Sequence, residues 1–273
     1  MQAISPWGWR KTSVEGQQII KYVMTPQLDA IMAVTLFLRG PVMDEADGCP
    51  LRASRLLFGE ERPPLLAAPV QEHGTRMIEA LPSTSLPARP KGDALLLRRT
   101  DVLGSLRFAD CIPVVAVAEE QDPWVFLVHS GFLGTAKGVV REALKKAMKT
   151  TGLRCLDSVH FWVGPGIGSC CYSRRLDDPR TREGLELFPR QCIRVDGDLV
   201  FFDLPSAILI TLYDMNVSSS NVVLIDRCTS CSSESFYSYR GGDRTGRSLL
   251  LAGFREGFHK SDLWWENGFE GVE

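Results

Sequence analysis

Two short apolar runs set close together, 112–118 (IPVVAVA) and 124–128 (WVFLV), constrain this chain more than any other feature. Both are rich in β-branched and aromatic residues and too short for an ordinary helix, so they predict two neighbouring buried strands joined by the polar turn EEQDP. Cys111 stands just before the first run and His129 just after the second. Both therefore fall at strand ends, where α/β sheets place their chemistry. Ser130, Gly131 and Gly134 then lead into TAKGVVREALKKAMKT, where Val139, Val140, Ala143, Leu144, Ala147 and Met148 recur at helical spacing. The free N–H groups at the start of that helix point back at the Cys/His pair and can receive an anion.

The rest of the chain suits the same fold class. Segment 31–38 (IMAVTLFL) predicts a strand ended by Arg39-Gly40-Pro41, and residues 44–64 a short helix followed by a proline-rich turn. Strands follow at 65–70, which leads to Gln71-Glu72-His73-Gly74, and at 93–98. Downstream, 158–163 feeds the turn GPGIGSCCY, which has Pro165 inside it and no amphipathic helix after it, unlike a dinucleotide-binding turn. Segments 193–195 and 199–202 flank Asp196-Gly197-Asp198 as a hairpin, and Asp203 with Pro205 starts a helix. Another strand at 222–225 delivers Cys228-Thr229-Ser230-Cys231, and 248–254 reads as a last apolar helix. The expected class is α/β in the mixed α+β sense, a single domain of mixed β-sheets flanked by helices. Its core occupies residues 26–257, between an N-terminal arm (1–25) and a C-terminal tail (258–273).

Composition narrows the function. With 273 residues, 44% of them hydrophobic, and a formal charge of -2, the chain can bury a large core and carries no polyanion-binding signature, which argues against nucleic acid. No run approaches the roughly 18 apolar residues of a membrane span, and the opening MQAISPWGWRKTSVEG lacks a signal-peptide core. A cytoplasmic protein with reduced cysteines is expected.

Only four histidines are present. His73 and His129 each end an apolar run beside a glycine, and with Cys111 they make a His2Cys set suited to tetrahedral zinc with one position left for water or substrate. Two other readings compete with it. Cys111 can be a nucleophile served by His129, or the three can be ordinary buried or loop residues. His160 and His259 read as structural. Cys228-x-x-Cys231 lacks a second pair of chelating spacing, because Cys170 and Cys171 are adjacent; these read as reduced thiols. Arg240, Arg244 and Arg247 can bind phosphate or sit solvated at the surface. Asp110 would face away from Cys111 in a regular strand.

Six segments in order, QEHGT, FADCIPV, VHSGFLGTAKGV, GPGIGSCCY, FFDLP and CTSCSSESFYSYRGGDRTGR, resemble the laccase-domain family, also called the multicopper polyphenol oxidoreductase family. The resemblance runs from about Thr25 to Phe254. It implies a metal held by His73, Cys111 and His129, with zinc expected and copper the alternative. It also implies purine nucleosides and phosphate as partners, in phosphorolysis of adenosine, inosine, guanosine and methylthioadenosine and in adenosine deamination. Cys111 and His129 are then catalytic as well as ligands, and the family's two upstream arginines fall on Arg39 and on Arg52 or Arg55, with Arg55 taken as the catalytic candidate. The chain departs from the family at Phe132 and Leu133, where a tryptophan and an arginine are usual, and Lys137 is placed to restore the charge. The family's alternatives are copper-dependent phenol oxidation, a metal-free cysteine hydrolase and a nucleoside-binding protein without turnover. Four histidines are too few for multicopper clusters.

Overall fold

A computed structural model describes residues 7–46, 50–58, 65–98 and 101–254. His259 and the tail 258–273 lie outside them. Three mixed or antiparallel sheets and seven helices make up this part of the chain. The first sheet runs β1 (Gly8–Val14), β2 (Gln17–Val23), β3 (Met32–Phe37), β15 (Ser248–Phe254), β7 (Val102–Phe108), β4 (Leu65–Ala67). The second runs β14 (Val222–Leu224), β10 (Val159–Val163), β8 (Ile112–Ala118), β9 (Trp124–Ser130), β6 (Ala94–Leu97), β5 (Met77–Glu79). A small third sheet joins β11 (Ser173–Arg175), β13 (Leu199–Phe202) and β12 (Ile193–Asp196). The helices are α1 (Pro26–Ile31), α2 (Pro41–Ala46), α3 (Pro50–Phe58), α4 (Phe132–Ala136), α5 (Val139–Thr151), α6 (Pro179–Leu187) and α7 (Leu204–Asp214).

The strands that show no polar alternation are those buried on both faces. Along β8 and β9, Ile112, Val114, Ala116, Trp124, Phe126 and Val128 pack beneath α5 and α7, whose Val140, Leu144, Ile208 and Leu212 cover that side. Val115, Val117, Val125 and Leu127 face the first sheet, against Val34, Leu36, Leu106 and Leu250. The outer face of the first sheet is covered in turn, with Phe37, Leu103 and Leu249 meeting Met43 of α2 and Ala53 of α3. The order is helix, sheet, sheet, helix. Every side chain of β8, β9 and β15 is buried, so their sequences read as continuous apolar runs.

Four details correct the sequence reading. Segment 248–254 is the strand β15, paired with both β3 and β7, and not a helix. A seven-residue, largely apolar run does not distinguish a doubly buried strand from a buried helix. Residues read as an N-terminal arm form the β1–β2 hairpin, which extends the first sheet through β3. Its turn has Glu15 and Gly16 both at positive φ, 48° and 81°, as a two-residue hairpin turn requires. Its alternation is obscured by Gln17, a fully buried polar residue that bonds the Leu38 carbonyl and accepts from the Val42 and Met43 N–H groups. Residues 41–58 hold two short helices where one was expected. Finally, the helix after His129 is broken at Gly138, whose φ of 71° separates the five-residue α4 from α5. The dipole directed at Cys111 is therefore that of a single turn.

Candidate metal centre

The chain crosses from the first sheet to the second at Ala109–Cys111, between β7 and β8. That crossing places Cys111 at the seam between the sheets. In the β8–β9 ladder Pro113 pairs with His129 and Ile112 with Ser130, so the start of β8 lies against the end of β9 and Cys111 comes beside His129. His129 turns its ring toward the first sheet, 5.4 Å from that of Phe108. His73 arrives from a loop whose Gln71 mimics a strand residue: its side chain donates to the Arg107 carbonyl and accepts from the Arg107 N–H. The ligand atoms of His73, Cys111 and His129 all lie within 4.8 Å of one another. His73 is exposed, Cys111 half-buried and His129 buried, so the cluster opens to solvent on the His73 side.

Asp93, just ahead of β6, organises the cluster. Its fully buried carboxylate accepts from His129 Nδ1 at 2.8 Å and from the N–H groups of Glu72, His73 and Gly74 at 3.3, 3.0 and 2.7 Å. Three successive N–H groups converging on one anion form a nest, and His73 adopts the left-handed φ of 60° that this requires. Burial opposes the charge on Asp93, yet the bond from His129 and the nest hold its pKa below the usual carboxylate range. With Nδ1 fixed by Asp93, His129 offers Nε2 to the cluster, the carboxylate–histidine arrangement usual behind metal ligands. Gly131 completes the packing. A Cβ there would lie 2.6 Å from His73 Cδ2 and 3.0 Å from Cys111 Sγ.

The electrostatics favour an ionised thiol. Burial pushes Cys111 up, but the charges and hydrogen bonds of His129 and His73 bring it down to about 6. His129, lowered by burial, is raised to about 9 by the Cys111 thiolate and Asp93. Two imidazoles and a thiolate are the donors that borderline ions such as zinc and copper take up, and three of them leave one position open.

Other sequence expectations fare unevenly. Arg39 is held by other groups: its guanidinium binds Asp243 at 2.6 Å, the carbonyls of Ser233 and Phe236, and the face of Tyr237. Arg55 lies exposed on α3, the helix over the outer face of the first sheet. Lys137 is paired with Glu183 at 3.2 Å. Phe132 is a core residue, stacked on Phe188 and edge-on to Phe202. Asp110, left open by its sequence position, has a φ of 83° and is buried. It accepts from Thr229 Oγ1 and from the Arg240 N–H, while its carbonyl accepts from Ile167, so it binds the two downstream loops to the Cys111 crossing. Of the three clustered arginines, Arg240 lies over the ring of Tyr172 at 4.8 Å and donates to the Ser173 carbonyl at 2.6 Å. Arg244 and Arg247 instead lie over Tyr239. Arg174, which the sequence reading passed over, sits over Phe132 at 4.7 Å, and the charges of Arg174, Arg240 and Cys111 all reach the Tyr172 hydroxyl. His160 is structural, stacked on Trp7 at 3.5 Å.

The Arg39 contacts make a stability prediction. Burial opposes ionisation of Asp243, but Arg39 and the Ser238 N–H hold its carboxylate below the usual range. A carboxylate with a lowered folded pKa stabilises above its unfolded value, about 3.9, and loses that contribution as pH falls through the folded one. Arg39→Ala should therefore cost about 2 kcal/mol in urea denaturation at neutral pH. Its cost should shrink as pH falls below the unfolded carboxylate value and through the lower folded one.

A helix-flanked double sheet with two imidazoles, a thiolate and a buried carboxylate at its seam defines an α/β class with a candidate metal centre. The chain belongs to the multi-copper polyphenol oxidoreductase laccase family, whose model matches residues 52–255. It is 31% identical over 198 residues to a purine nucleoside phosphorylase of Aquifex aeolicus, covering 72% of this chain and 85% of that protein. It is 33% identical over 174 residues to the purine nucleoside phosphorylase YlmD of Geobacillus stearothermophilus, covering 62% of each. The crystal structure of YlmD from that organism superposes with a TM-score of 0.73 at 23% identity, over 92% of this chain and all (100%) of the other. The hypothetical protein YfiH of Bacillus licheniformis does so with a TM-score of 0.75 at 17% identity, over 90% and 99%. Among the described residues no helix is long and apolar enough to cross a membrane.

Proposed function

We propose that this chain is a zinc-dependent purine nucleoside phosphorylase that also deaminates adenosine, with the metal on His73, Cys111 and His129. The convergence of those three donors, backed by Asp93, carries the reading. Relatives named purine nucleoside phosphorylase support it. When bound, zinc supplies Lewis-acid polarisation and a nucleophilic oxygen at neutral pH.

The chain's own groups do the rest. Asp93 holds the His129 ring so that Nε2 faces the cluster, and Cys111 contributes a thiolate without first losing a proton to bulk base. Arg240, over the Tyr172 ring, joins Arg39 and Arg55 as a candidate to bind phosphate and orient it toward the ribose carbon as the glycosidic bond breaks. One other reading has a specific observation behind it. Asp93, His129 and Cys111 form a hydrogen-bonded chain with a lowered thiol pKa, as in cysteine hydrolases.

Product analysis by mass after incubation with adenosine separates these. Zinc-loaded protein should give adenine and ribose phosphate only when phosphate is present, and inosine with or without it. Chelation should abolish both. Turnover that survives chelation would transfer the site to the cysteine chemistry, and absence of all products would leave a binding protein.

A further inference from the structure

A second group of ligands lies outside this cluster. Cys170 and Cys171, in the turn after β10, and Cys228 and Cys231, in the loop after β14, bring their four sulfur atoms within 4.8 Å of one another. The sequence separates the pairs by about sixty residues, and adjacency of Cys170 and Cys171 argued against a shared site; the fold removes that objection by running the two segments side by side. Gly166 bridges Cys228 in parallel, and the Thr229 N–H donates to the Gly166 carbonyl at 3.1 Å. Cys231 Sγ then lies 3.6 Å from Cys170 Sγ and 3.4 Å from Cys171 Sγ. The edge of a zinc–sulfur tetrahedron with bonds of about 2.3 Å is about 3.8 Å. A disulfide would need about 2.05 Å.

We propose that Cys170, Cys171, Cys228 and Cys231 form a closed, structural zinc site, separate from the His73 cluster. All four positions are filled by thiolates, so it holds no open position for substrate. Binding displaces the thiol protons to solvent and forms four Zn–S bonds with no change in oxidation state. The Gly168 N–H already donates to Cys228 Sγ at 3.3 Å, a bond that favours a ligating thiolate. The site clips together the two loops that both reach Asp110. Ile167 binds the Asp110 carbonyl from one loop, and Thr229 and the Arg240 N–H bind its carboxylate from the other. The ion thus braces the crossing that carries Cys111 and the backbone that presents Arg240, acting as a positioning element and not in chemistry.

Elemental analysis of the full-length protein purified with zinc tests this. About two zinc ions per chain are expected, falling to about one in Cys228→Ser/Cys231→Ser and equally in His73→Ala/His129→Ala. Cobalt substitution of the histidine variant should retain an intense thiolate-to-metal charge-transfer band, which the cysteine variant with its single thiolate shows far more weakly. Should the cysteine variant fail to fold, alkylation of wild-type protein decides. The four thiols should be protected with zinc and modified after chelation, while the exposed Cys155 reacts in both states. Zinc-independent modification of the four, a disulfide joining the two segments, or another metal recovered there would overturn the assignment.

Discussion

Asp93→Ala is expected to destabilise the protein by about 3–5 kcal/mol and to strip the metal from the His73 cluster, because one carboxylate serves both fold and site. Removing it leaves four donors turned toward an empty, fully buried position: His129 Nδ1 and the N–H groups of Glu72, His73 and Gly74. Breaking a buried charged pair from one side costs on that scale because the remaining partners lose both water and protein. The left-handed backbone at His73 then has nothing to hold it. Asp93→Asn is the milder variant. It keeps the volume but turns an amide donor toward groups that are themselves donors, and should weaken metal binding by about 10–100-fold. Chemical denaturation of metal-free protein and metal titration of each variant check the two halves separately. If Asp93→Ala retained wild-type stability and metal content, the nest would not be organising the site.

Gly131→Ala should do the opposite, leaving the fold and removing the site. Gly131 has φ -82° and ψ 177°, which alanine adopts freely, so backbone strain plays no part. The conflict is between the new methyl and the two ligands it would meet, His73 Cδ2 at 2.6 Å and Cys111 Sγ at 3.0 Å. His73 is exposed and gives way more easily than the Cys111 crossing, which Asp110 fastens to two loops. A displacement approaching 1 Å in a reacting group costs on the order of 100-fold in rate. The expected result is a drop of at least about 100-fold in kcat/KM and weakened metal uptake, with a melting temperature within a few degrees of wild type. Unchanged turnover would show that His73 does not need the position it occupies.

The site was legible wherever strand ends announced it. Cys111 and His129 flank apolar runs, and the β8–β9 pairing that joins them follows from a short polar turn. Asp93 was hidden because an aspartate ahead of ALLL reads as a strand boundary. Only the β6–β9 pairing, with the His129 N–H donating to the Asp93 carbonyl at 2.7 Å, brings its carboxylate beside the imidazole. Arg39 shows the converse: its place at the end of β3 was visible, but its partner Asp243 lies 204 residues away and no local pattern links them. The substitution at Phe132 has a simple account. The ring fills an aromatic cluster over Gly184, where a Cβ would come within 2.5 Å of it, so the position answers to packing before chemistry. The mistaken terminal helix comes from burial on both faces, which removes the alternation that identifies a strand, whereas the N-terminal hairpin is masked by its buried polar Gln17 and its largely uncovered edge strand.

The layering has a consequence for how such proteins diversify. Because β8 and β9 are gripped by helices on one side and a second sheet on the other, any change of volume there is felt in two cores at once. The floor beneath the cluster is thus closed to change, whereas Arg174 on the edge strand β11 and Arg240 in the loop after β14 stand outside those cores. Differences among proteins of this architecture should accumulate in that rim, with His73, Cys111, His129 and Asp93 carried unchanged as a fixed cartridge.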